Sequence, residues 1–351
     1  MIPLYKPYMP IELPELYNIC QSGALAYGKW GHCFENRLRN FLKVDNLLVT
    51  SSYGVAMQIA LLVLKLKPGD EVIASPMCCL ASSQPLVTYG LTVKWADIDP
   101  RSGTLDPDSV KKVITPKTKA IVHNHFCGYI GYVDEINSVG KFHGIPVIDD
   151  CIEAFGSSYK SKYSGNLGAD ISVFSFQTVR LPNTIDGGAI AFKEKSMFEN
   201  ALLARDLGID RNIFRDSDGE ISNLCDISDL GCAGTLNELS SYIGCCQMDY
   251  ISDLLLQQRK NADKWHNQLA AFKDIYPLDR GREIVIPNYW VFGLLCNNKI
   301  KTMHKFREHG YYASSVHLPN TYYSVFGKQE KLLGVNEFYN SFLAIPCGWW
   351  M

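Results

Sequence analysis

From about residue 45, short apolar segments alternate with amphipathic helical segments, and this alternation restricts the possible folds more than any other feature of the chain. DNLLVTS, EVIASP, TVKWADI, KAIVHNHF, IPVIDD, DISVFSF and GGAIAF predict strands. VAMQIALLVLKL, PDSVKKVI, VDEINSVGKFH and SMFENALLARDLG predict the helices that alternate with them. Strands this apolar are buried on both faces, so we expect an α/β fold with a mainly parallel sheet.

The chain after residue 209 is organised differently. Residues 210–226 are polar and have little periodicity, which predicts a long excursion from the sheet. A long helical run that begins NELSSYIGCCQ follows, and we interpret it as a bridge into a second domain. We therefore expect a large domain over residues 1–240, with an N-terminal arm, and a smaller C-terminal α+β domain over residues 241–351.

The overall composition argues against several classes of function. The net charge is −2 and there is no run of basic residues, so we expect no nucleic-acid partner and no anionic membrane surface. No apolar segment approaches the ~20 residues that span a bilayer, and the N-terminus lacks the apolar region of a signal peptide. We expect a cytoplasmic protein whose 12 cysteines are reduced thiols.

The segment HNHFC is the most metal-like cluster in the chain. His123, His125 and Cys127 alternate, so on a strand they would lie on one face. A zinc site usually draws on a second group of ligands, and the sequence offers none. We interpret the segment as a strand face near a pocket and predict no metal site.

Polar and small residues follow three of the predicted strands, where parallel strands bring their ends to one edge of a sheet. SSYG, residues 51–54, opens a helix and suits a phosphate held by backbone N–H groups. Asp149 and Asp150 close IPVIDD, and Ser175 and Gln177 close DISVFSF. Each group also has a purely structural interpretation, as a helix start, a solvated strand end or a turn cap.

Taken together, the three groups suit a phosphorylated heteroaromatic cofactor. A carboxylate at a strand end can hold a ring nitrogen protonated, which pyridoxal phosphate (PLP) requires in order to act as an electron sink. A nicotinamide dinucleotide is less well supported, because no GxGxxG follows the first strand.

The order of these segments resembles the nucleotide-sugar aminotransferases of the DegT/StrS family, which are fold type I PLP enzymes. The resemblance covers nearly the whole chain, from GKWGHCFENRLRNFL through KPGDEVIASP and HFCGY to FREHGYYASSVHLPN and FLAIPCGWWM. Its most specific block is IPVIDDCIEAFGSSYKSKYSGNLGADISVFSFQTVRLPNTIDGGAIAF. The resemblance implies a mainly parallel seven-stranded sheet and a homodimer whose sites are built from both chains. It also implies a shortened C-terminus, since members usually continue into another helix.

By position, the resemblance implies cofactor-binding roles for Ser52, Tyr53, Gly54, Cys79, Asp150, Glu153, Ser175 and Gln177. Asp150 would pair with the pyridinium nitrogen, and Glu153 would lie beside the ring hydroxyl, where Gln or His is usual. Tyr53-Gly54 stands in place of the family's usual Gly-Thr and puts a bulky side chain at a tight turn.

Arg180 occupies the position of the family's catalytic lysine, four residues after the Ser-Phe of the SFx motif. A guanidinium with a pKa above ~12 stays protonated, so it forms no Schiff base and is a poor base. PLP or pyridoxamine phosphate (PMP), if bound, would therefore be bound non-covalently. An engineered inactivation would also leave arginine here, but the changes at Tyr53 and Glu153 favour natural divergence. Lys160 and Lys162 match a surface hairpin of the family and are poor replacements.

Three hypotheses follow from this pattern. The first is a PLP- or PMP-linked enzyme, an aminotransferase or a dehydratase, that acts on a nucleotide-linked keto-sugar in surface-polysaccharide (O-antigen) or deoxysugar biosynthesis. Arg180 would anchor charge in it, and His125 and Glu153 would be candidate proton carriers. The second is a catalytically silent member that completes a partner's site or binds a nucleotide sugar. The third uses the pocket for another small molecule. We expect substrate contacts in residues 210–230 and 317–323.

Overall fold

The computed structural model describes residues 1–279, 281, 284–327 and 330–351. Its strands are β1 (Leu47–Thr50), β2 (Glu71–Ala74), β3 (Thr92–Trp95), β4 (Thr118–Asn124), β5 (Val147–Asp150), β6 (Ser158–Tyr159), β7 (Lys162–Tyr163), β8 (Ile171–Ser175), β9 (Gly188–Phe192), β10 (Ile275–Pro277), β11 (Val285–Ile286), β12 (Phe292–Cys296) and β13 (Phe342–Ile345). Its α-helices are α1 (Leu16–Gln21), α2 (Lys29–Leu42), α3 (Tyr53–Val63), α4 (Leu80–Thr88), α5 (Pro107–Val113), α6 (Val133–His143), α7 (Lys195–Arg205), α8 (Glu238–Met248), α9 (Ile251–Leu269), α10 (Lys299–Glu308) and α11 (Leu333–Ser341). Short 3₁₀ helices cover Phe126–Gly128, Asn320–Tyr322 and Ser324–Phe326.

Within the described residues, seven strands form the central sheet in the order β1-β9-β8-β5-β4-β2-β3. Strand β9 runs antiparallel to β1 and β8, and the other neighbouring strands run parallel. Every residue of β1, β5, β8 and β9 is buried, as in strands covered by helices on both faces. The predicted α/β fold with a mainly parallel seven-stranded sheet is confirmed.

The helices around this sheet begin and end at residues that the sequence marks. The Ser52 side chain accepts a hydrogen bond from the Val55 N–H and so caps α3. Asp106 caps α5 in the same way, and Pro107 occupies its first position. Helix α6 ends at Gly144, whose φ of 66° is the left-handed conformation that glycine adopts without strain.

The long helical run predicted after Asn237 is divided into α8 and α9, with Asp249 and Tyr250 between them. Neither proline nor glycine marks this interruption in the sequence, so periodicity alone does not locate it. Helix α9 has 19 residues, and no helix in the described ranges is both long enough and apolar enough to cross a membrane.

A second, antiparallel sheet with the strand order β10-β12-β13 lies in the last third of the described chain. Helices α9 and α10 share its apolar core, which contains Trp265, Phe292 and Leu343. This sheet and its helices form the α+β unit expected in the C-terminal part. The domain boundary at residue 240 stays a prediction.

The ends of β1 and β8 meet at one edge of the central sheet, beside the first residue of β9. Thr50 and Ser175 both lie opposite Gly188 in the strand register. A Cβ atom on Gly188 would lie 2.8 Å from the Ser52 carbonyl oxygen, so the close approach requires glycine. Because β5 runs parallel to β8, Asp150, the last residue of β5, lies at the same edge.

Candidate functional site

The Asp150 carboxylate is fully buried at this edge and already has several protein donors. The Tyr53 hydroxyl donates to Oδ1 at 2.8 Å, and the Asn124 side-chain amide donates to Oδ2 at 2.9 Å. The Ile152 N–H also donates to Oδ1, at 3.2 Å. Burial raises the pKa of Asp150, and the surrounding hydrogen bonds oppose that rise. Protein groups therefore satisfy both carboxylate oxygens.

Tyr53 is held firmly in this position. It is the first residue of α3, and only 4% of its surface is exposed. Its ring belongs to the apolar cluster that also contains Leu86 and Ile152. Burial, and then the charge of Asp150, raise the pKa of Tyr53 well above its usual value. The hydroxyl therefore stays protonated at neutral pH and acts as a donor to the carboxylate.

Asp149 is paired with two histidines on the neighbouring strand end. His123 Nδ1 lies 3.3 Å from Asp149 Oδ1, and His125 Nε2 lies 3.6 Å from Oδ2. All three side chains are fully buried. Burial would raise the pKa of Asp149, but the two histidines outweigh it and hold the pKa well below its usual range.

Each of these three residues offers one ligand atom, and the atoms lie within 4.8 Å of one another. However, the Gly131 N–H donates to His125 Nδ1 at 3.3 Å. The proton of a neutral His125 is therefore on Nε2, the nitrogen that faces Asp149. A protonated ring nitrogen does not bind a metal, so the arrangement favours a carboxylate held between two histidines over a metal site.

Neither His125 nor Cys127 lies on the strand that carries His123, and the expectation that the three residues share one strand face is wrong. Strand β4 ends at Asn124. Cys127 lies beyond it in a 3₁₀ turn and has a φ of 53°. Because the chain leaves the strand before this residue, the alternation that holds for a strand no longer applies.

Glu153 lies at the centre of a second polar group. The Cys127 N–H donates to its Oε2 at 2.7 Å, and His317 Nε2 donates to its Oε1 at 2.7 Å. Arg180 Nη1 lies 3.5 Å from the same Oε1. Burial would raise the pKa of Glu153, but the charges and hydrogen bonds of His317 and Arg180 lower it below its usual value. Glu153 is therefore ionised at neutral pH.

Arg180 is 8% exposed and is held between a carboxylate and an aromatic ring. Its guanidinium carbon lies 4.3 Å from the centre of the Trp290 ring, a cation–π contact. The Trp290 ring stacks on Tyr5 with centroids 4.5 Å apart, and its indole N–H donates to the Val179 carbonyl at 2.8 Å. The arginine therefore has a fixed, largely desolvated position next to Glu153.

Four of the predicted cofactor-binding residues differ in exposure: Ser52, Gly54, Ser175 and Gln177. Ser52 and Ser175 are both beside Gly188. The Ser175 hydroxyl lies 3.4 Å from the Gln177 backbone nitrogen, and the Gln177 side chain is exposed. Gly54 is half-buried in the first turn of α3.

Cys79, the residue before α4, is part of the same electrostatic environment. Burial, and then the charge of Glu153, raise the pKa of its thiol. Lys160 and Lys162 lie elsewhere, on the exposed β6–β7 hairpin. The Lys160 ammonium donates to Asp134 at 2.7 Å, and this hydrogen bond raises the pKa of Lys160. Neither lysine is buried.

The sequence profile of the DegT/DnrJ/EryC1/StrS aminotransferase family matches residues 10–351. The chain belongs to this family. It is 28% identical over 301 residues to GDP-perosamine synthase of Escherichia coli O157:H7. The aligned region is 84% of this chain and 78% of the relative. It is 26% identical over 264 residues to the spore coat polysaccharide biosynthesis protein SpsC of Bacillus subtilis (strain 168), which covers 75% of this chain and 67% of the relative.

Solved structures share the fold over the whole chain. AtS13 from Actinomadura melliaura is 27% identical and has a TM-score of 0.92, with coverage of 100% of this chain and 95% of AtS13. The PMP form of Spr1654 from Streptococcus pneumoniae is 21% identical and has a TM-score of 0.90, with coverage of 100% and 95%. A cofactor of the PLP type is thus found on this fold, which raises the question of whether the pocket of this chain fits it.

The pocket side chains do not fit the pyridine ring of PLP. The resemblance assigns the ring nitrogen to Asp150, but that carboxylate already accepts hydrogen bonds from Tyr53, Asn124 and Ile152. A ring nitrogen would need both a free oxygen lone pair and space beside it. Among these three donors only Asn124 reaches Oδ2, which leaves one lone pair there. The obstacle is therefore the Tyr53 side chain, whose buried ring brings its hydroxyl to 2.8 Å from Oδ1.

Several residues of this pocket are not identified by the sequence. Trp290 packs on Arg180, Tyr5 stacks on Trp290, and Asn124 donates to Asp150, yet no local motif marks any of the three. His317 lies in the segment predicted to contact substrate, but its pairing with Glu153 spans 164 residues. Among these four residues only His317 lies in one of the family blocks, FREHGYYASSVHLPN.

Proposed function

We propose that this chain binds a nucleotide-linked keto-sugar in surface-polysaccharide (O-antigen) or deoxysugar biosynthesis and does not carry out lysine-dependent transamination. Membership of the family and the similarity to GDP-perosamine synthase and SpsC support the substrate class. The observation that supports the absence of lysine-dependent transamination is Arg180. It stands at the family's lysine position and is buried against Glu153 and Trp290.

The chemistry of the guanidinium supports a role for Arg180 in ligand binding and not in transamination. A guanidinium is a cation and not a free amine, so Arg180 supplies neither a nucleophilic nitrogen nor a base. Its Nε is buried and has no hydrogen-bond partner among the described residues. Such a donor suits an anionic group on a ligand, because arginine binds phosphate and carboxylate oxygens in a bidentate manner.

A second candidate keeps PLP or PMP, held without a covalent bond, and retains enzymatic activity. The Glu153–His317 pair favours it, since a carboxylate 2.7 Å from an imidazole is an arrangement that can carry a proton. This candidate requires Tyr53 to leave Asp150. His125, the other proposed proton carrier, is buried against Asp149 instead.

The experiment that separates the two candidates uses the purified full chain. We expect calorimetric titration with GDP-, UDP- and dTDP-linked sugars to show saturable binding of one of them. We expect the absorbance spectrum and intact mass to show no PLP or PMP, and we expect no amino transfer from glutamate to a keto-sugar. Arg180→Met should weaken binding at least about tenfold, because a charge-assisted contact is lost. Arg101→Met, at an exposed arginine, is the control.

Two outcomes would contradict the proposal. If no nucleotide sugar binds, the substrate class is wrong. If PLP co-purifies with the protein and amino groups are transferred, the second candidate is correct. In either case the family assignment still holds, because it rests on the whole chain.

We also propose a cytoplasmic homodimer. All 12 cysteines are free thiols, as in proteins of a reducing compartment. The irregular segment before α8 exposes large apolar side chains, among them Leu224 at 88% and Leu230 at 81%. Exposed apolar groups that are close in the chain are typical of a surface that a partner covers.

A further inference from the structure

The ring of Tyr53 faces the carboxylate that the family's cofactor ring would face. Tyr53 carries its hydroxyl on a six-membered aromatic ring and donates to Asp150 Oδ1 at 2.8 Å. A protonated pyridine nitrogen would donate to the same carboxylate from a ring of the same size. The phenol thus offers Asp150 the same kind of partner, a planar ring with one hydrogen-bond donor at its edge.

We infer that Tyr53 is a built-in replacement for the pyridine ring and closes the PLP site of this chain. The inference rests on the proposed function, because it explains how the pocket of a family member is organised without the cofactor. It assigns the loss of PLP binding to Tyr53 rather than to Arg180.

Three features keep Tyr53 in place. The Ser52 cap fixes the start of α3 and therefore the direction of its first side chain. Only 4% of the surface of Tyr53 is exposed, and turning its ring outward would expose apolar surface to water. Its departure would also remove a donor from a buried carboxylate, which is unfavourable.

Arg180 is held by partners of its own and does not depend on Tyr53. Its guanidinium contacts Glu153 and Trp290. A lysine introduced at position 180 would regain an amine, but Tyr53 would still occupy Asp150. Restoring the lysine alone is therefore not enough to restore the cofactor site.

The test titrates PLP itself into the full-length wild-type chain and four variants: Tyr53→Gly, Tyr53→Phe, Arg180→Lys and the double variant Tyr53→Gly/Arg180→Lys. Equilibrium dialysis measures binding. Intact mass after borohydride treatment measures covalent attachment, since a lysine amine condenses with the aldehyde, releases water and is fixed when hydride reduces the imine.

We expect wild type, Tyr53→Phe and Arg180→Lys to bind PLP too weakly to be measured and to gain no mass. Tyr53→Phe is the matched control, because it keeps the ring and loses only the hydroxyl. Tyr53→Gly should bind PLP at least about tenfold more tightly than wild type, without a covalent bond. The double variant should gain one phosphopyridoxyl group on residue 180.

Stoichiometric PLP binding by wild type, or a reduced adduct in Arg180→Lys alone, would overturn the inference. These two proteins carry no large change in the core, so the result does not depend on the folding of the glycine variants. A folded Tyr53→Gly that stays free of PLP would overturn it as well. Nucleotide-sugar binding by wild type is measured separately, so failure of this inference is distinguishable from failure of the proposed function.

Discussion

The two buried carboxylates of the pocket are stabilised by different kinds of partner. Glu153 has a cation and an imidazole, Arg180 and His317. Asp150 instead accepts hydrogen bonds from neutral groups, among them a phenol, an amide and a backbone N–H. This difference explains why burial raises the pKa of Asp150 while the pKa of Glu153 is lowered.

Removing the Tyr53 hydroxyl should therefore destabilise the fold without disturbing its packing. Tyr53→Phe keeps the ring and leaves Asp150 with one donor fewer, for which we expect a loss of about 1.5–3 kcal/mol in the free energy of unfolding. Urea denaturation measures it. Tyr17→Phe, at a tyrosine that is 72% exposed, is the control and should change stability by less than about 0.5 kcal/mol. Equal losses in both variants would mean that the Asp150 contact contributes nothing.

The Glu153–Arg180 pair should behave as a coupled unit. Glu153→Gln leaves the guanidinium buried without its counter-charge, and we expect it to cost about 3–5 kcal/mol. Adding Arg180→Met to this variant should recover part of that loss, because the uncompensated charge is gone. A double-mutant cycle measured by urea denaturation should give a coupling energy of about 1–3 kcal/mol. Strict additivity of the two substitutions would show that the pair is not coupled.

The same pair has a predictable pH dependence. The pKa of Glu153 is lower in the folded state than in the unfolded chain, so its contribution to stability is complete above the unfolded value of about 4.3. It is lost as the pH falls through and below that value towards the folded pKa. The stability gap between wild type and Glu153→Gln should therefore shrink between pH 6 and pH 3. A gap that widens on acidification would have the wrong sign for an ionised Glu153.

At the scale of elements, a carboxylate on α8 caps the N-terminus of α2 and so connects the two helices. Glu238, the first residue of α8, accepts hydrogen bonds from the backbone N–H groups of Gly28, Trp30 and Gly31 at 2.9–3.0 Å. Those are the unpaired donors at the start of α2, where a negative charge also interacts favourably with the helix dipole. Glu238 is 6% exposed, so water does not replace it easily.

The stability lost on replacing Glu238 should depend on how many acceptor oxygens the new side chain keeps. Glu238→Ala removes every acceptor and should lower the free energy of unfolding by about 1–3 kcal/mol. Glu238→Gln keeps one carbonyl oxygen and should lose less. Glu194→Ala, before α7, is the control because that residue makes no side-chain cap. If alanine and glutamine cost the same in chemical denaturation, the capping role assigned to Glu238 is wrong.

At the scale of the whole molecule, the sequence predicts those strands and helices whose positions depend on local sequence patterns. Strands such as β5 and β8 are apolar runs that end in polar residues, and α3 begins at a capping serine, so their positions follow from short segments. The break between α8 and α9 lacks such a signal at Asp249 and Tyr250, and the helical pattern of the sequence continues across it.

The pocket is harder to predict because its contacts are long-range. Trp290 donates to a carbonyl 111 residues away, and Tyr53 reaches an aspartate 97 residues away. The resemblance marks Tyr53 as bulky for its turn, but only the packed structure shows that its hydroxyl is directed at Asp150. Side-chain direction depends on neighbours that fold in from distant segments, and a pattern in one segment does not contain it.

The exposed segment before α8 yields the prediction for the assembled molecule. Leu224 and Leu230 are 88% and 81% exposed, although burying such side chains is favourable by roughly 1.5–3 kcal/mol each. In the proposed homodimer a second copy covers them. Leu224→Asp/Leu230→Asp should therefore shift the mass measured by light scattering from dimer to monomer at micromolar concentration. Phe142→Asp, at an equally exposed residue on α6, should leave the dimer intact. A dimer that survives the double substitution would exclude this segment from the interface.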